Sequence, residues 1–253
     1  MNRFIECAGV GKIYPVKTES VEALRGIDFT CDSGDFVCLL GRSGCGKSTL
    51  LQLVAGLEEP TAGNIAVAGK TLDGPSPAAA IVFQDHGLFP WMTVRKNVEF
   101  NMKARGVAAG ERTATAAQFI EMTGLTGFGD RYPHELSGGM RQRVGIARAL
   151  TTGPRALLMD EPFGALDAQT RGKLQDELLS IWEKQRTTVL FVTHSIDEAL
   201  LLADRILVFT PRPGRIAADI KVDLPRPRAP QSEAFSALAR ELRGLIGADR
   251  DFD

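Results

Sequence analysis

Gly41-Arg42-Ser43-Gly44-Cys45-Gly46-Lys47-Ser48-Thr49 is the stretch of this 253-residue chain that decides its fold. It satisfies GxxxxGK[ST] in the required setting, with the apolar run Phe36 to Leu40 before it as a strand and Leu50, Leu51, Leu53 and Val54 after it as a helix. Glycines let backbone N–H groups turn inward around an anion. The helix N-terminus adds roughly half a positive charge where that anion sits. In this pattern Lys47 reaches the β- and γ-phosphates of a nucleotide, and the Ser48 hydroxyl is a Mg2+ ligand.

Working outward, Ala156-Leu157-Leu158-Met159-Asp160-Glu161 is an apolar strand that runs into two acids. Adjacent carboxylates at the end of a buried strand are costly unless a cation or a reacting water meets them. Asp160 is therefore expected to hold Mg2+, usually through water, and Glu161 to polarise the attacking water as general base. A third stretch, Leu136-Ser137-Gly138-Gly139-Met140-Arg141-Gln142-Arg143, puts a serine and two glycines at the start of another helix. Read by itself, Ser137 is an N-cap; read beside the phosphate loop, the segment offers hydroxyl and backbone donors to a second anion. It lacks the strand and lysine of the first.

The rest of the chain supplies the frame. Short β-rich runs come first, at Phe4 to Val10, Ala23 to Cys31, Asp35 to Leu40 and Asn64 to Ala68, with a turn at Gly69-Lys70. Apolar residues at helix spacing follow in Val94 to Arg105, Glu111 to Met122 and Gly138 to Leu150, a helical insert over about 93–152. Strand and helix then alternate: Ala156 to Met159, Ala168 to Lys184, Thr188 to Val192, Ile196 to Ala203, and Arg205 to Phe209. That alternation predicts an α/β domain with a mainly parallel sheet. It is expected over 1–222, ending in a β-like piece at Arg215 to Val222, with 223–253 a short tail that passes through the Pro-rich Leu224 to Pro230 into a helix near Ser232 to Ile246.

Composition narrows the class. Thirty basic and 31 acidic residues nearly cancel, so no chain-wide field recruits nucleic acid or anionic lipid. No apolar stretch approaches the roughly 18 to 20 residues needed to cross a bilayer, and the N-terminus has the charges of a chain without a secretory signal, so the cytosol is expected. Cys7, Cys31, Cys38 and Cys45 form no CxxC pair and read as small buried residues.

With these motifs in this order, the chain resembles the ATP-binding cassette family from about Tyr14 to about Phe209. The resemblance implies a P-loop NTPase core with an N-terminal antiparallel β subdomain and an inserted α-helical subdomain. It implies ATP and Mg2+ as substrate and metal, bound by Gly41, Arg42, Ser43, Gly44, Cys45, Gly46, Lys47, Ser48 and Thr49. Tyr14 matches the aromatic residue that stacks on adenine. Gln84 matches the glutamine that senses Mg2+ and the γ-phosphate, and His194 the switch histidine. Gly164-Ala165-Leu166-Asp167 matches the loop that crosses between subunits. Ser137, Gly138, Gly139 and Met140 match the signature that caps the γ-phosphate held by the other copy of a head-to-tail dimer. His86 and His134 match no such role.

The aromatic turn Asp85-His86-Gly87-Leu88-Phe89-Pro90-Trp91-Met92 reads either as lobe packing or as the wall of a groove for a permease helix. With Thr93 to Val98 and Thr210 to Ile216, it looks like the nitrate, sulfonate and taurine importer branch. That implies membrane permease subunits, an extracytoplasmic solute-binding protein and a place on the cytoplasmic face of the inner membrane. A soluble cassette ATPase of DNA repair or translation is the competing expectation. It is disfavoured by the single cassette and by the absence of a coiled-coil insert or basic stripe.

Overall fold

The computed structural model describes every residue except Met1, Asn2, Lys17, Thr18, His86, Ala165 and residues 248–253. The readings of His86 in the aromatic turn and of Ala165 in the crossing loop thus lie outside the described residues. The chain divides into two units, Met1–Ala78 with Thr188–Asp253, and Ala79–Thr187.

The first unit opens with a long antiparallel hairpin, β1 (Arg3–Val16) and β2 (Glu19–Asp32). β1 runs six residues past Val10, where the sequence reading ends it. Gly9, at φ 59°, and register shifts between Cys7 and Ile13 interrupt the two-residue alternation that marks a strand. β3 (Phe36–Leu40) is buried at all five positions and leads through the phosphate loop into α1 (Lys47–Ala55). β4 (Ala62–Val67) pairs with β1 on one side and β5 (Lys70–Thr71) on the other, giving the antiparallel order β2-β1-β4-β5. The turn joining β4 to β5 is Ala68-Gly69, at φ 54° and 74°, as a two-residue hairpin turn requires. Lys70, expected in that turn, lies in β5.

The second unit holds β6 (Ala79–Val82), α2 (Val94–Ala104), α3 (Ala109–Met122), α4 (Gly138–Leu150), β7 (Ala156–Asp160) and α5 (Ala168–Gln185). β6 runs parallel to β7, with Ala79 opposite Ala156 and Val82 opposite Met159. Val94, Val98 and Met102, spaced by four, turn one face of α2 into a core shared with Ala116 and Ile120 of α3 and Val144 of α4.

The chain returns to the first unit as β8 (Thr188–Thr193), α6 (Ile196–Leu202), β9 (Arg205–Phe209), β10 (Ile216–Lys221) and α7 (Glu233–Gly247). β3 lies between β8 and β9, parallel to both, and β10 closes the edge antiparallel to β9. α7 packs on α6 and β9, and its Phe235, Ala239 and Leu242 are buried at helix spacing. All four cysteines are free and buried. Burial, with Asp28 nearby, pushes the Cys7 thiol up to about 12, so it stays protonated at neutral pH.

Candidate active site

The phosphate loop is built so that only glycine fits at its key positions. Gly46 sits at φ 100°, and a Cβ there would come 2.7 Å from both the Ala23 carbonyl oxygen and Leu24 Cδ2. Gly44, at φ 81°, is left-handed as well. Gly46 also caps α1 and accepts from the Leu50 amide at 2.9 Å. Lys47 is 4% exposed, and its ammonium donates to the carbonyls of Gly41 and Arg42 at 2.9 Å each and lies 3.7 Å from Cys45 Sγ. A cation this buried is retained by its hydrogen bonds. Arg42, Ser43 and Ser48 are exposed and Thr49 is half-buried.

The loop is braced from behind by residues that motif reading did not assign to the site. A Cβ on Gly214 would meet the Cys45 carbonyl oxygen at 2.1 Å. The Gly214 amide donates to Ala23, its carbonyl accepts from Arg25, and the Arg212 guanidinium donates to the Gly44 carbonyl at 3.2 Å. In the sequence this stretch shows only its Pro and Gly punctuation, which marks a turn without saying what the turn supports.

Two other expected residues belong to this unit. Tyr14 is half-buried near the end of β1. His194 is exposed directly after β8, in a turn pinned on both sides: the Ser195 amide donates to Thr193 Oγ1 at 3.0 Å and the Glu198 amide to Ser195 Oγ at 3.3 Å.

The second unit carries the remaining candidates. Asp160 ends β7, half-buried, and Glu161 follows at φ 41°, one of three non-glycine residues with positive φ among the described residues. Such a backbone costs about 1–3 kcal/mol and persists only where the surrounding structure over-determines it. A Cβ on Gly164 would lie 3.8 Å from Glu161 Oε2 and 4.0 Å from Gln84 Nε2, so these three residues surround one small space. Gln84 itself is exposed.

In the signature segment, Ser137 is the N-cap of α4 and accepts from the Met140 amide at 3.3 Å. Gly138 is half-buried, with room for a Cβ at 3.6 Å from Leu166 Cδ2, whereas Gly139 is buried against α5. Met140 is half-buried and packs on the helical core. Asp167 caps α5 by accepting from the Thr170 amide at 3.0 Å, and that bond holds its carboxyl below the usual range. Motif reading already makes Ser137 an N-cap, whereas Asp167, read only as part of the crossing loop, proves to cap α5.

The aromatic turn divides its duties. Leu88 packs on the helical core, while Phe89 stands 4.4 Å from Phe100 and 5.6 Å from the 70% exposed Trp91. Fully buried Asn97 staples the turn, exchanging bonds with the Phe89 backbone and donating to Met92 and Thr93. Phe83, Phe89, Phe100, Ala104, Arg105 and Arg148 line a groove of about 490 Å³.

A nucleotide-binding loop, a strand ending in paired acids and a serine-glycine helix start define an ATP-binding cassette, and comparison with known proteins agrees. The family profile described as ABC transporter matches residues 24–164, and the chain belongs to that family. More particularly, it is similar to the nitrate import ATP-binding protein NrtD of Synechocystis, 47% identical over 87% of this chain and 83% of the relative. The taurine import ATP-binding protein TauB of Sinorhizobium fredii is 48% identical over 93% and 92% of the two chains. Among solved structures, the dimeric post-hydrolysis state of the cassette MJ0796 bound to ADP and Pi superposes with a TM-score of 0.78. It is 31% identical over 86% of this chain and 98% of that one. The cbiO1 protein of Clostridium perfringens, part of the ABC transporter complex cbiONQ, gives a TM-score of 0.79 at 25% identity, over 96% and 95%.

Proposed function

We propose that this chain hydrolyses ATP to drive import of a small anion of the nitrate, taurine or sulfonate kind through a separate membrane permease. The observation that carries the reading is the phosphate loop, whose Gly46 admits no side chain and whose Lys47 ammonium rests on the loop carbonyls.

In this reading the amides of Gly41 to Thr49 and Lys47 grip the phosphates, and Tyr14 stacks on the base. Ser48, Asp160 and Gln84 are hard oxygen donors of the kind Mg2+ takes alongside substrate phosphates, and they fit that ion. When bound, Mg2+ neutralises charge on the phosphate oxygens. Glu161 accepts the proton of the water that attacks the γ-phosphorus, ADP departs, and His194 and Gln84 register the γ-phosphate. A second copy, head to tail, supplies Ser137, Gly138, Gly139 and Met140 to cap that phosphate, with Asp167 on the crossing loop. The γ-phosphate then binds the closed dimer better than the open one, which is what coupling to a permease requires.

The apolar groove beside Phe89 and Phe100, with Arg105 and Arg148 in its lining, is the surface that suits a short permease helix. The subunit would then sit on the cytoplasmic face of the inner membrane, the permease working with an extracytoplasmic solute-binding protein.

The test is affinity purification from detergent-solubilised membranes of the native host. Wild type is expected to retain integral-membrane permease subunits, and Ala104→Trp, which fills the groove, to lose them while keeping ATP binding. Consistent recovery with ribosomes or DNA instead would overturn the importer reading.

A further inference from the structure

Lys12 belongs to none of the nucleotide motifs, yet it is 8% exposed. A buried ammonium persists only with good partners. Lys12 Nζ donates to Glu58 Oε2 at 2.8 Å and to the Glu59 carbonyl at 2.7 Å, and it sits 5.0 Å from the centroid of the Tyr14 ring. That distance is within cation–π range.

The partners are placed tellingly. Glu58 and Glu59 follow the C-cap glycine, Gly56, of α1, the helix whose first residue is Lys47. Thr61 adds to the same seam: its amide donates to the Gly11 carbonyl at 2.9 Å, and its Oγ1 accepts from the Ile13 amide at 3.1 Å. One end of a rigid helix therefore carries the phosphate loop. The other end is fastened to the part of β1 that carries Tyr14.

We propose that Lys12 is a positioning residue for the nucleotide base. Clamped to Glu58 and Glu59, it holds β1 at a set distance from the phosphate loop, and by covering one face of the Tyr14 ring it leaves the opposite face for adenine. The proposal rests on the reading of Tyr14 as the base-stacking residue. Lys12 touches no phosphate in this arrangement. Its loss weakens recognition of the base and spares recognition of the phosphate chain.

The experiment compares dissociation constants for ATP and for inorganic tripolyphosphate, which lacks the base, in wild type, Lys12→Met, Glu58→Gln and Tyr14→Ala. Glu58→Gln removes the ion pair from a partly exposed position, so it serves should Lys12→Met fold poorly. Lys12→Met is expected to weaken ATP about tenfold and raise KM with kcat retained. Glu58→Gln should act in the same direction but less, and tripolyphosphate should bind within twofold of wild type throughout. Parallel weakening of both ligands would reduce Lys12 to a structural clamp on α1 and overturn the proposal. So would unchanged ATP affinity in both variants while Tyr14→Ala binds ATP poorly. If Tyr14→Ala itself binds ATP normally, the base-stacking reading fails first, and this inference with it.

Discussion

No methyl group fits between Gly139 and Thr170: a Cβ on Gly139 would come 2.5 Å from Thr170 Cγ2. The second glycine of the signature therefore lets α4 approach α5, whereas a Cβ on Gly138 would meet Leu166 Cδ2 at an ordinary 3.6 Å. Gly139→Ala is expected to destabilise the protein by about 1–3 kcal/mol, the usual cost of overpacking. Thr170→Ser, which deletes the obstructing methyl, should restore most of it. Denaturant melts of the two single variants and the double variant check the coupling, and additive effects would contradict it.

Lys47→Ala removes the one loop cation that rests on the carbonyls of Gly41 and Arg42. ATP turnover should fall by about 10²-fold or more, since charge-assisted contacts to a transferring phosphoryl group are worth that much. Unlike Lys12→Met, this variant should lose tripolyphosphate as well. Turnover at the wild-type rate in a phosphate-release assay would remove Lys47 from the mechanism.

These two cases mark what a sequence can disclose. The phosphate loop is legible because its chemistry is contiguous, nine residues whose turn, charge and helix start are all local. Lys12 is not, because its partner Glu58 is 46 positions away and a lone lysine near a strand end reads as surface. β6 is hidden in the sequence for a similar reason. Ala79 and Ala80 are poor strand formers, and their extended state comes from parallel pairing with Ala156 and Leu157. Bulges near Gly9 and Gly11 hide the alternation at the end of β1, so resemblance and not periodicity points to Tyr14. For Gly139 the motif speaks only of a donor to an anion at a helix start. Its tight seat against Thr170 depends on a neighbouring helix that no local pattern announces.

The cap at Asp167 carries a pH dependence of definite sign. The Thr170 amide holds its carboxyl below the ordinary 3.8, so the folded state binds the proton less readily than the unfolded chain. The resulting stability is fully present above the unfolded value and is lost as pH falls through the folded one. Asp167→Ala should lower Tm at pH 7, with the gap from wild type closing in acid below about pH 4. Asp167→Asn, still a good cap, should keep most of the neutral-pH stability and lack that acid dependence. Thermal melts between pH 3 and 7 decide it.

At Glu161 stability and turnover should part company. Glu161→Gln keeps the shape and the strained backbone at φ 41°, so Tm should hold while turnover falls by roughly 10²- to 10⁴-fold, the loss expected without a general base. With ATP it should accumulate as dimers in size-exclusion chromatography. Glu161→Gly is equally inactive, but glycine adopts this conformation freely, so net stability should rise by up to about 1 kcal/mol after its own entropy cost. A Glu161→Gly protein less stable than Glu161→Gln would show that the left-handed backbone there is not a source of strain.

Arg228 ties the C-terminal segment to the end of α6, whose first turn follows His194. Its Nη1 donates to the carbonyls of Leu200 and Ala203 at 2.7 and 2.6 Å, and its Nε to Leu224 at 3.1 Å, while Arg226 pairs with Asp204 at 2.5 Å and also reaches Leu202. Burial lowers the Arg228 value to about 10, which leaves it charged at neutral pH. One planar guanidinium thus satisfies carbonyls that a helix C-terminus leaves open, a geometry an ammonium does not reproduce. Removing it strands partly buried acceptors at about 1–3 kcal/mol in all, and the loss should concentrate in α7 and the end of α6. Arg228→Met and Arg228→Lys should therefore both speed amide exchange in α7 while exchange in α2 to α4 stays as in wild type. Equal acceleration across both units would mean that Arg228 supports the whole fold and not this latch.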